Sequence, residues 1–70
     1  MIKYGKIIEY NGSSGEIICS EGFKYILLQQ NILYKEPKIG DIVSFKEEKY
    51  ATPEICEKIA TFINKVEKKD

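Results

Sequence analysis

Two cysteines, Cys19 and Cys56, and the loop Gly12-Ser13-Ser14-Gly15 are the residues whose types and spacing could do chemistry in this chain. A cysteine pair offers a disulfide, a nucleophile or two zinc ligands. These two lie far apart and form no C-x-x-C pair, and a zinc site asks for about four ligands, which a chain with no histidine does not make up. They read most simply as reduced, buried, small apolar residues. The glycine-serine loop has the composition of an anion nest, but a phosphate cradle leads from a strand into a helix. The flanks here, Lys6–Tyr10 and Glu16–Cys19, are both strand-like, so the loop reads as a hairpin connection. Without histidine there is no ordinary general base and no Ser-His or Cys-His arrangement. Enzymatic activity is not expected, and neither is a cofactor.

The elements that must position any site centre on Lys6 to Leu28. Three runs, Lys6–Tyr10, Glu16–Cys19 and Lys24–Leu28, are rich in Ile, Leu and Tyr and are separated by Asn11-Gly12 and Glu21-Gly22. Those glycines supply the positive φ of tight turns, and the pattern predicts a three-stranded meander. Period-2 alternation puts Ile17 and Cys19 on one face with Tyr25 and Leu27, and Ile18, Ile26 and Leu28 on the other. Gly5, inside the first strand, marks a bulge or a sharp coil. Asn31 is placed to cap a short helical turn through Ile32 and Leu33, which Pro37 ends. A fourth strand is expected over Asp41 to Glu47, with Val43 and Phe45 inward, followed by a solvated run Glu47-Glu48-Lys49.

The C-terminal stretch supports two readings. Thr52-Pro53-Glu54 has the form of a helix start, and Ile55, Cys56, Ile59, Ile63 and Val66 fall on one helical face, giving a four-stranded sheet plus a helix over 53–66. Against that, Lys58 to Ile63 is a plausible strand, and four strands alone leave edges unpaired.

Seventy residues allow one small domain, 1–70, and an apolar share of 43% is too high for a disordered chain. No apolar run approaches the roughly 18 residues of a membrane span, and the N-terminus lacks the apolar block of a secretory signal. A cytoplasmic protein is the expectation. Formal charge is zero, and none of the eleven basic residues is arginine. That argues against a strong sequence-independent grip on phosphates and removes the bidentate fork that reads guanine edges.

Over nearly its whole length the chain resembles the cold-shock domain family. Gly5-Lys-Ile-Ile-Glu-Tyr-Asn11 is similar to the opening G-x-V-x-W-F-N, and Ser14-Gly-Glu-Ile-Ile-Cys19 stands at the K-G-F-G-F-I motif. Tyr25-Ile-Leu-Leu28 stands at V-F-V-H, Asn31-Ile32 at a small residue and Ile, Lys38–Phe45 at the G-x-x-V-x-F strand, and Ala60–Ile63 at the closing A-x-N-V. The resemblance implies an all-β fold, a small five-stranded OB-like Greek-key barrel, in which the C-terminal stretch is the closing strand. It also implies binding of single-stranded RNA or DNA on a face of stacked aromatics.

The residues that carry such binding are mostly replaced. Glu9 stands at the tryptophan, Glu16 and Ile18 at the motif phenylalanines, Ile26 and Leu28 at Phe and His, and Ser14 at the lysine. The candidate nucleic-acid contacts that remain are Lys6, Tyr10, Asn11, Lys24 and Tyr34, together with the aliphatic Ile18, Ile26 and Leu28. Each has a plainer role. Tyr10 is more often a half-buried strand aromatic, Asn11 a turn residue, Tyr34 a loop anchor, and the lysines solvate the sheet. Phe23, beside Gly22, reads as a hairpin-tip aromatic folding onto the barrel, though an exposed one could meet a base. Two functions follow. One is weak, sequence-tolerant binding of single-stranded nucleic acid. The other is a protein-protein interaction module, in which Ile18, Ile26 and Leu28 form an apolar patch that docks a protein partner or makes a weak homodimer.

Overall fold

The computed structural model describes residues 2–51 and 56–66, with side chains for 2–49 and 58–66. Five strands form in chain order: β1 (Ile2–Tyr10), β2 (Ser14–Cys19), β3 (Lys24–Leu28), β4 (Ile42–Ala51) and β5 (Cys56–Lys65). They close into a barrel in the order β1-β2-β3-β5-β4. All neighbours are antiparallel except β3 and β5, which run parallel with Ile26 beside Ile59. This is a small five-stranded OB-like barrel, and among the described residues every strand is paired on both sides.

The expected turns form as read. Gly12 and Gly22 have φ of 96° and 91°, and Asn11 braces the first loop by accepting the N–H groups of Ser13 and Ser14 on Oδ1, both at 2.9 Å. Alternation then fixes the interior. Ile17, Cys19, Tyr25, Leu27, Val43 and Phe45 are buried with Ile7, Ala60 and Ile63.

Several expectations need correction. The helix over 53–66 does not form across 56–65, which is the closing strand; the Thr52-Pro53-Glu54 start lies outside the described residues. The bulge in β1 is not at Gly5 but between Ile7 and Glu9, where Ile8 is the extra residue. Asn31 does not open a helical turn. It ends the 3₁₀ turn Gln29–Asn31, and its Nδ2 donates to the Ala60 carbonyl at 3.2 Å, tying the turn to β5. Of the two residues that follow, Ile32 packs against the core and Leu33 is exposed. Glu47 lies in the fourth strand as expected but is not solvated: it shares the inward side of Val43 and Phe45, and its Oε2 accepts the Tyr25 hydroxyl at 3.2 Å. No helix among the described residues is long and apolar enough to cross a membrane.

Candidate nucleic-acid interface

The outward side of the barrel can be read from the pairing. Lys6 lies opposite Ile18 on β2 and Ile42 on β4, and Ile18 lies opposite Lys24 on β3. The resulting row runs Ile42, Lys6, Ile18, Lys24, with a lysine on each side of a half-buried isoleucine. The next row runs Glu9, Glu16, Ile26, Ile59. Two carboxylates directly opposite each other on neighbouring strands are mutually destabilising and repel phosphate. Leu28 pairs with Ser14 at the far edge. Ile18, Ile26 and Leu28 thus face outward as read, but all three are half-buried among their neighbours and none stands clear of the sheet.

The remaining expected contacts lie elsewhere. Tyr10 turns inward and packs on the core, as does Tyr34 on the β3–β4 connection. The two line one depression with Ile32 and Pro37. The Tyr34 hydroxyl donates to Asp41 Oδ2 at 2.9 Å, and the Lys38 N–H donates to the same oxygen at 2.9 Å. Burial of Asp41 works to raise its pKa. The Lys38 and Tyr34 hydrogen bonds and the charges of Lys65 and Lys38 outweigh that and hold it below the usual value. Tyr10, Asn11 and Tyr34 therefore serve the barrel, while Lys6, Ile18 and Lys24 are brought together on its surface.

The tyrosines give one test of this arrangement. Burial first, and then the hydrogen bond to a carboxylate, raises the pKa of both Tyr25 and Tyr34 above the ordinary 10.0. Below that value both phenols are neutral whether the chain is folded or not, so their contribution is complete. Above it the unfolded chain releases its protons first, and stability falls as pH rises. We expect the urea midpoint to drop between about pH 9 and pH 11, and Tyr34→Phe to lessen that drop. An alkaline decline in Tyr34→Phe as steep as in the parent would show that Asp41 does not hold the phenol.

One surface residue was missed by the sequence reading. Tyr4 shares the outward side of β1 with Lys6 and is 56% exposed. Tyr4, Lys6, Ile18 and Ile42 line an open groove of about 330 Å³ whose exposed lining is mainly apolar. A π-face beside an ammonium group and an aliphatic floor is an arrangement that can hold a flat, anionic ligand. The signal was present in the alternation of Tyr4 with Lys6, but the imperfect alternation through Gly5, Ile7 and Ile8 left the outward side of this strand unassigned. Cys19 is a buried free thiol, and among the described residues no group of three or more His, Cys, Asp or Glu is placed to hold a metal. No protein-family model matches the chain, and no curated protein matches it.

Proposed function

We propose that the chain is a divergent cold-shock-like barrel of the cytoplasm that binds single-stranded RNA or DNA weakly and with little sequence preference. The observation that carries this reading is the groove on β1 and β2, where exposed Tyr4 stands beside Lys6, with Lys24 across Ile18. The tyrosine, on the groove it shares with Ile18, offers a stacking surface away from Glu9 and Glu16. Lys6 and Lys24 supply two phosphate contacts, and the Glu9–Glu16 pair turns the strand away from the rest of the sheet. Nothing in this depends on arginine or on a net positive charge, which is why weak binding is expected, with a Kd of about 10⁻⁴–10⁻⁶ M.

Fluorescence anisotropy with labelled oligothymidylate and oligouridylate, titrated with salt, tests it. A probe that reaches only Lys6 and Lys24 should give a shallow slope of log K against log salt, about −1.4. Tyr4→Ala should weaken binding by about 1–3 kcal/mol, and Lys6→Glu with Lys24→Glu should abolish it. Absence of binding at low salt would end the proposal. Self-association lost on Ile26→Asp, with oligonucleotide affinity unchanged by Tyr4→Ala, would move the function to protein docking.

A further inference from the structure

Phe62 is the most unusual residue on the surface. It is 60% exposed, and its φ of 51° puts a bulky side chain in the left-handed region that favours glycine and asparagine. The cause is a bulge. Between Ser44 and Lys46 on β4 there is one residue, and between their partners Asn64 and Thr61 on β5 there are two. The extra residue lets Ala60 and Ile63, three apart, both face the core, and it leaves Phe62 outside. Strain and exposure at one aromatic serve no packing purpose, and such residues gather at binding surfaces.

The surroundings state the chemistry. The Lys46 Nζ lies 5.2 Å from the Phe62 ring centroid, and Ile2, Leu33 and Ser44 border the same depression. Among the described residues, the charged ones lining this depression and the Tyr4 groove are Lys46 and Lys6, and no carboxylate lines either. A second copy of this chain would bring lysine against lysine here, whereas an anionic, flat ligand meets complementary charge. The two places are also continuous. Tyr4 pairs with Ser44 and Ser44 with Asn64, while Ile2 pairs with Lys46 and Lys46 with Thr61. Tyr4 and Phe62 therefore sit across three adjacent strands, a lateral separation of roughly 10 Å.

We infer that a single-stranded nucleic acid held at Tyr4 continues across β4 and stacks a second base on Phe62, with Lys46 meeting the phosphate between them. This rests on the reading of the Tyr4 groove and extends it onto the β1-β4-β5 side of the barrel, away from Glu9 and Glu16.

Phe62→Asn tests it, because asparagine tolerates the left-handed backbone and the bulge is kept. The probes are a thymidine dinucleotide, which reaches one platform, and a thymidine octanucleotide, which reaches both. Phe62→Asn should melt no lower than the parent, bind the dinucleotide equally, and bind the octanucleotide about 5-fold or more weakly. Lys46→Gln, which removes the charge beside Phe62 and leaves the β5 sequence unchanged, should flatten the octanucleotide salt slope by about 0.7. Parent-like octanucleotide binding by Phe62→Asn overturns this inference while leaving the Tyr4 groove intact. Self-association abolished by Phe62→Asn, with octanucleotide affinity unchanged, overturns it in favour of a protein contact. A parent chain that binds neither probe removes both readings together.

Discussion

Gly15→Ala is expected to leave the chain unfolded at room temperature. An added Cβ at this position would lie 1.9 Å from the Glu9 carbonyl oxygen, 2.7 Å from its carbon and 2.8 Å from the Tyr10 Cα. All three are backbone atoms of β1, in the stretch that carries the Ile8 bulge, so no side chain can swing aside to make room. Relief requires β1 and β2 to part by more than an ångström where Tyr10 pairs with Gly15. A domain of this size has a stability of only ~3–5 kcal/mol, and opening that ladder exposes Ile7 and Ile17, both fully buried. Far-UV circular dichroism and a urea titration read the outcome. Gly12→Ala is the control. Its φ of 96° makes alanine strained, but nothing lies within 4 Å, so its cost should be nearer ~1–2 kcal/mol. A Gly15→Ala chain that melts within a few degrees of the parent would mean that β1 does not cross β2 this closely.

The same glycine separates two meanings that a motif combines. In the stretch similar to K-G-F-G-F-I, Gly15 stands at the first glycine, and its reason is the approach of the Glu9 carbonyl. Glu16 and Ile18 stand at the phenylalanines, face outward, and owe nothing to the barrel's closure. Within Ser14–Cys19, the residue that strand closure demands and the residues that face outward are thus different ones. That is why the fold was legible in this sequence while the site was not.

Where alternation was regular, the interior followed from it. Ile17 with Cys19, Tyr25 with Leu27 and Val43 with Phe45 are all inward. Where a bulge interrupts alternation, the reading broke down. Ala60 and Ile63 face the same way at a spacing of three, and Ile59, Ile63 and Val66 follow at spacings of four and three, which is the rhythm of a helix. Only the pairing of β5 with both β3 and β4 reveals that an extra residue, and not a helical turn, makes that spacing. Glu47 was lost in a similar way. Its charge suggested solvent, yet strand parity turns it toward the Tyr25 hydroxyl. Tyr4 and Phe62, the two exposed aromatics on the proposed path, carried no local sign of exposure, since strand aromatics are commonly half-buried.

Phe45→Ala is the second change expected to cost the chain its fold. Phe45 is 1% exposed and meets Tyr25 edge to face, with ring centroids 4.9 Å apart at 60°. Truncating a buried phenylalanine costs about 3–5 kcal/mol through lost transfer energy and the cavity left behind. The aromatic pair adds about 0.5–1.5 kcal/mol. Together these equal or exceed the stability of a domain this small. The loss reaches the surface by two routes. Tyr25 donates to Glu47 through its hydroxyl, so a loosened ring weakens the polar closure at that end of the barrel. Phe45 also borders the depression beneath Phe62 and lies between Ser44 and Lys46, opposite the β5 bulge. Phe45→Leu keeps most of the volume and should remain folded, at a cost of about 1–2 kcal/mol, or roughly 4–16 °C in melting temperature for a domain of this length. In that folded variant, octanucleotide binding should fall while dinucleotide binding holds, because the platform at Phe62 shifts and Tyr4 does not. If Phe45→Ala melts cooperatively within a few degrees of the parent, Phe45 is not the centre of the core and the support it lends to the bulge falls with it.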